Sequence, residues 1–178
     1  FFGRLISEKG VAELLKAFAF LCQELQNRIE FWIVGKGYLE SLVNDYASKY
    51  PIRYLDFVNH ERLPEIYRKC DIFCLPSQDR VKCGIRWREE QLGWVLLEAM
   101  TPGLPIVSTD CGCIPEIVGS DNLIIPSSAP DKLVAGLSNL LVNKEKCHEI
   151  GRNNRKGAER HFDAKKQAKI LEEEILRL

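Results

Sequence analysis

Short apolar runs that do not alternate with polar residues recur along this chain, each followed by a stretch whose apolar residues fall at helical spacing. That pairing restricts the fold more than any other feature. Ile29 to Val34, Ile52 to Val58, Ile72 to Leu75, Ile106 to Ser108 and Leu123 to Ile125 read as strands, and Phe1-Phe2 as the tail of another. Between them, Val11, Leu14, Leu15, Phe18, Leu21, Cys22 and Leu25, then Leu39, Leu42, Val43, Tyr46 and Ala47, keep the helical period. Leu63-Pro64 opens a short helix ending near Tyr67, with proline suited to a first turn. Strands buried on both faces show no alternation, so the expectation is an α/β fold, a Rossmann-like parallel sheet with helices on both faces.

Further along, Pro76-Ser77 begins a loop lasting to about Leu92, Trp94 to Thr101 reads as helix, and Ile114 to Val118 as a short helix. From Leu133 helical periodicity continues to Leu178, with breaks expected near Gly151 and Phe162. Residues 1–178 read as a single domain whose C-terminal helices occupy about 129–178. Lysine plus arginine (25) equals aspartate plus glutamate (25), so no overall basic field would gather nucleic acid. No apolar run approaches the roughly 20 residues of a membrane span. The seven cysteines include no C-x-x-C pair and read as thiols of a reducing compartment. The expected location is therefore cytoplasmic, with peripheral association at the inner membrane surface left open.

Parallel sheets bind ligands beyond the carboxyl ends of their strands. The loops at Arg4, Gly35, Asn59, Ser77 and Asp110 all follow strands and should converge on that edge. Glu90 and Glu98 lie eight positions apart in E-Q-L-G-W-V-L-L-E, and Gly93 sits where a helix would begin. Amides there can face an anion while the carboxylates lie on either side, about 12 Å apart if the segment were wholly helical. A diphosphate with hydroxyl-bearing groups at both ends fits that pattern, and a nucleotide-sugar is such a ligand. Plainer readings stand beside this one. An Arg and a Lys in a loop are usually solvated charges, Gly35 and Gly37 alone suit a strand-to-helix turn, and Ser77 suits a turn. His60, His148 and His161 lack partners at metal spacing, so no metal site is expected.

Taken together, G-R-L-I-S-E-K-G, V-G-K-G, F-V-N-H-E-R-L-P-E-I-Y, D-I-F-C-L-P-S, E-Q-L-G-W-V-L-L-E-A-M-T-P-G-L-P-I-V-S-T-D and G-C-I-P-E-I-V-G resemble the C-terminal, donor-binding half of a family 4 retaining glycosyltransferase with the GT-B fold. The likeness runs in unbroken order over about residues 1–126. It implies that Arg4 and Lys9 clamp the donor diphosphate and that Leu92, Gly93, Trp94 and Val95 present backbone amides to it. It also implies that Glu98 accepts hydrogen bonds from the ribose hydroxyls and that Glu90, the catalytic candidate, faces the transferred sugar. Gly35, Gly37, Val58 and Asn59 fall in loops near the nucleoside base, and Glu116 in a position that fixes a loop.

The same resemblance implies a role in polysaccharide biosynthesis, no cofactor beyond the nucleotide-diphospho-sugar, and no metal. The acceptor, a glycan or lipid-linked sugar, would bind to an N-terminal domain absent from this chain, so the 178 residues are expected to bind nucleotide without turning it over. Asp56 stands where relatives commonly carry glycine and Cys113 where they often carry glycine or glutamate. Trp87, in the 78–89 segment, is expected to pack that loop, with a stacking or acceptor-facing role as the alternative. A GT-B sugar-nucleotide epimerase half and a non-catalytic nucleotide-binding domain remain as alternatives.

Overall fold

The computed structural model describes residues 1–26, 28–82, 85–88, 90–127, 129 and 131–177, with backbone alone at 80–82 and 85–88. After a 3₁₀ turn at Ser7–Lys9, α1 (Val11–Glu24) turns Val11, Leu14, Leu15, Phe18, Leu21 and Cys22 into the core. Gly10 joins the two elements at φ 66°, and a Cβ there would lie 1.9 Å from the Pro76 carbonyl oxygen. Only glycine meets both demands, so this junction is locked against the loop after the third strand.

β1 (Phe31–Val34) and β2 (Ile52–Leu55) form one parallel ladder, with α2 (Glu40–Ala47) between them in sequence. The next elements are α3 (Leu63–Tyr67) and β3 (Phe73–Leu75). β4 (Arg80–Lys82) and β5 (Ile85–Arg88) make an antiparallel pair. Then come α4 (Trp94–Met100), β6 (Ile106–Thr109), α5 (Ile114–Val118) and β7 (Leu123–Ile125). β3, β6 and β7 form a second parallel ladder in that order. Phe2 bridges Val34 in parallel while its ring meets Phe73 at 6.0 Å, so the first residues stand between the two ladders. The expected single parallel sheet is thus two parallel ladders joined through Phe2. One core cluster runs through both and includes Leu5, Leu15, Ile33, Leu75, Leu96, Ile106, Ile114 and Leu133.

Two expectations fail. The 76–92 segment is not wholly loop, because it carries the β4–β5 pair. Nor does a helix break at Gly151, since α7 (Lys144–His161) runs through it after α6 (Asp131–Val142) ends before Asn143. Gly151 is there for packing, as a Cβ on it would sit 2.1 Å from the Gly103 carbonyl oxygen. The break near Phe162 is found, where Phe162 ends α7 and the Asp163 carboxylate accepts from the Lys166 amide to start α8 (Ala164–Ile175). Trp87 has no described side chain, so its expected packing lies outside the described residues.

Candidate functional site

The carboxyl end of β3 is where the sequence candidates meet. Lys9, at the end of the 3₁₀ turn, pairs through Nζ with Glu90 Oε2, although 81 positions separate them. Their side chains are only 17% and 12% exposed, which places this ion pair largely out of water. Ser77 Oγ donates to the same Glu90 oxygen at 2.9 Å. Thr109 Oγ1 in turn donates to the Ser77 carbonyl, and Ser108 Oγ to the Leu75 carbonyl at 2.6 Å. These buried hydroxyls on β6 therefore fix the strand end that presents Ser77.

The backbone of Glu90 is held from the other side. The Cys113 amide donates to the Glu90 carbonyl at 3.0 Å, and a Cβ on Gly112 would lie 2.1 Å from that carbonyl oxygen. Cys111 is buried, with its thiol pushed up to about 12 by burial and then by its hydrogen bond with Asp79. Both cysteines of C-G-C thus act as neutral packing groups against the loop that carries Glu90. Sequence reasoning weighed Cys113 only as a departure from pattern.

Gly93 caps the amino end of α4 and is buried between Leu92 and Trp94, whose side chains are exposed. Of the four amides expected to face an anion, that of Trp94 donates to the Leu92 carbonyl at 2.9 Å. Those of Leu92, Gly93 and Val95 take no acceptor among the described residues. The arrangement therefore offers three amides instead of four, because the turn into α4 consumes one.

Glu98, one helical turn into α4, accepts from the Tyr67 hydroxyl at 2.9 Å. Tyr67 is 2% exposed, its ring packed on Phe2 at 4.5 Å and near Phe73 at 5.9 Å. Burial first, and the Glu98 charge second, hold its hydroxyl far above the usual phenol range, so it remains a donor. No periodicity flags such a partner; the signal available was Tyr67 on a short helix just before β3.

Arg4 is exposed, and its guanidinium makes no hydrogen bond or ion pair with a described residue. It shares the loop with Lys9, but the structure does not bring it into the Lys9–Glu90 pair. Gly35 and Gly37 meet that loop from beneath: Cβ atoms on them would lie 1.9 Å from the Gly3 oxygen and 2.3 Å from the Leu5 oxygen. The Leu5 amide donates to the Lys36 carbonyl at 2.8 Å and the Leu39 amide to the Leu5 carbonyl at 3.0 Å. The two glycines thus seat the Arg4 loop through close backbone contact.

Val58 is half-buried against the core, and the Asn59 side chain accepts from the Glu61 amide at 3.1 Å, starting a 3₁₀ turn. Nearby Asp56 pairs with Lys36 at 3.2 Å, which holds its carboxyl below the usual range. Glu116 lies exposed in the first turn of α5. Among the described residues no cluster of three His, Cys, Asp or Glu side chains could hold a metal, and no helix is long and apolar enough to cross a membrane.

With this geometry in hand, the comparisons with other proteins fall in one direction. The family described as "Glycosyl transferases group 1" matches residues 1–157. Spore coat protein SA of Bacillus subtilis is 28% identical over 183 residues, covering 96% of this chain and 46% of that protein. Among solved structures, the C-terminal domain of LpcC, a group 1 family glycosyl transferase from Francisella tularensis, superposes with TM-score 0.75 at 19% identity, covering 92% of this chain and 84% of that one. HepE of Anabaena, solved in complex with UDP-glucose, gives TM-score 0.79 at 21% identity, covering 99% of this chain and 48% of that one. The chain spans less than half the length of the curated relatives it matches.

Proposed function

The chain belongs to the group 1 glycosyl transferases, and from that premise we propose that it is the donor-binding half of a retaining, family 4 type transferase that takes a nucleotide-diphospho-sugar. The observation that carries this reading is the meeting of Lys9, Ser77 and Glu90 beside the glycine that opens α4. In HepE the bound molecule is UDP-glucose. By analogy, the diphosphate here would lie over the Leu92, Gly93 and Val95 amides, with Lys9 and Arg4 supplying positive charge from the facing loop.

In this reading Glu90 faces the sugar, and its bond with Lys9 orients the carboxylate. Glu98 takes the ribose hydroxyls, and the loops at Gly35, Gly37, Val58 and Asn59 border the base. As the glycosidic bond to the donor breaks, negative charge accumulates on the departing diphosphate. Preorganised amides and the two cations stabilise that charge without the reorganisation that water would need. No metal or other cofactor is invoked, and the sugar acceptor, a glycan or lipid-linked sugar, would be held by residues outside 1–178. Residues 1–178 serve as one donor domain in this scheme.

Calorimetric titration of UDP-, GDP- and ADP-sugars against the chain tests the proposal. One of them should bind with EDTA present, and Lys9→Ala should weaken it by about tenfold or more, as expected for a lost charge-assisted contact. Binding of none of the three, or undiminished binding by the Lys9 variant, would overturn it.

A further inference from the structure

Glu98 differs from every other acidic candidate in how it is held. One oxygen, Oε2, accepts from a tyrosine hydroxyl at 2.9 Å, and that tyrosine is almost wholly enclosed. Oε1 takes no donor among the described residues, and unlike Glu13 Oε2 it is not a buried orphan. A carboxylate on a helix has several rotamers of similar energy, and a ligand that needs one of them must stand the entropy of selecting it. A hydroxyl that cannot move removes that freedom in advance.

The Tyr67 ring is fixed by Phe2 at 4.5 Å and Phe73 at 5.9 Å, all three side chains lying in the core. Its hydroxyl also lies 3.5 Å from the Val95 carbonyl, on the helical turn preceding Glu98. The phenol thus references the carboxylate to the sheet and to α4 together.

We infer that Tyr67 is a positioning residue for donor recognition: it pins Glu98 Oε2 so that Oε1 alone is presented to the ribose hydroxyls. This rests on the proposed ribose role of Glu98. Tyr67 itself touches no part of the nucleotide, and its effect passes entirely through the carboxylate.

The test is a substrate cycle on the 178-residue chain. The dissociation constants of UDP, GDP and ADP are measured first, and the tightest binder is compared with its 2′,3′-dideoxy counterpart in the wild-type chain, Glu98→Ala and Tyr67→Phe. The wild type should favour the ribose form by about tenfold or more. Glu98→Ala should abolish that preference. Tyr67→Phe keeps the ring, and should cut the preference at least threefold while leaving affinity for the dideoxy nucleotide unchanged.

If Glu98→Ala abolishes the preference and Tyr67→Phe keeps the wild-type ratio, the inference fails and the ribose role of Glu98 stands. Equal weakening of both nucleotides by Tyr67→Phe also overturns the inference, since that is general damage. If the wild type shows no preference, or Glu98→Ala retains it, the ribose role itself fails and the inference falls with it. Should Tyr67→Phe not fold, wild-type protein carrying ¹³Cζ-tyrosine answers instead. The tyrosine resonance perturbed in Glu98→Gln must shift when the ribose nucleotide binds and stay in place with the dideoxy form; no difference between the two overturns the inference.

Discussion

Lys9 and Glu90 each leave the other with a charge that little water reaches. Removing one partner of such a pair strands the other, whereas removing both does not. In thermal unfolding, Lys9→Ala and Glu90→Ala should therefore be non-additive, with a coupling of about 1–3 kcal/mol in the double-mutant cycle closed by Lys9→Ala/Glu90→Ala. A coupling near zero would mean that the pair is not formed in solution. The two glutamates should also separate by function. Glu98→Ala should weaken the nucleoside diphosphate by about 1–3 kcal/mol. Glu90→Ala should leave that affinity nearly unchanged and impair binding of the sugar-bearing donor, so equal effects would contradict the division of labour. The two glutamates stand out in the sequence by their spacing around Gly93, whereas Lys9, alone an ordinary loop charge, stands out only through the family resemblance. Ser77, Thr109 and Tyr67 do not stand out, because a hydroxyl's role depends on which distant segment it faces, and these bonds span 13, 32 and 31 positions. Arg4, which the resemblance assigns to the same clamp, lies exposed and apart from the Lys9–Glu90 pair.

At the scale of elements, β1, β2, β3, β6, β7, α3 and α5 could be read from apolar runs and proline placement, because burial on both sheet faces leaves a strong local signature. The β4–β5 pair was missed because charged residues obscure it. Arg80-Val81-Lys82 and Ile85-Arg86-Trp87-Arg88 do alternate, and that period-2 signal could have found it. Gly151 misled for a related reason, since glycine lowers helix propensity wherever it stands and only the partner backbone at Gly103 explains it. The same helix docks through amides invisible to periodicity. Asn154 and Asn122 exchange hydrogen bonds at 2.6 and 2.8 Å, Asn154 Nδ2 donates to the Leu104 carbonyl at 2.7 Å, and Asn122 Oδ1 accepts from the Ile106 amide at 2.9 Å. This buried network ties α7 to the turn that leads into β6. Asn154→Leu leaves the Leu104 carbonyl unpaired and strips Asn122 of both its bonds to α7, so it should destabilise the fold by about 2–4 kcal/mol, measured by urea unfolding. Gly151→Ala should cost about 1–3 kcal/mol by forcing α7 away from Gly103. Loss of less than half a kilocalorie in both would show that α7 is not docked in this way.

Across the molecule, the described cysteines are free thiols whose ionisation is pushed to higher pH, and this has a consequence for alkaline stability. The sequence indicated thiols without a disulfide framework, and the six cysteines among the described residues are all free. What it could not indicate was how strongly the fold suppresses their ionisation. Burial pushes Cys74 up to about 12, and burial with the Asp79 hydrogen bond pushes Cys111 to the same level, both from an ordinary value of 9.0. Burial also raises the Tyr67 hydroxyl, along with Cys22, Cys70, Cys113 and Cys147. The unfolded chain therefore loses protons at lower pH than the folded one. Cys74 and Cys111 each contribute stability that is complete below 9.0 and is lost as pH rises toward about 12. The melting temperature should accordingly fall progressively as pH rises above about 9. Cys74→Ala should start lower at pH 7, from the lost packing, and decline less steeply, since one of the most suppressed thiols is gone. Differential scanning calorimetry of both proteins across that range, under reducing conditions, makes the comparison. Parallel curves for the two would show that Cys74 ionises as readily in the folded chain as in the unfolded one, and that the β3–β6 core is open to water.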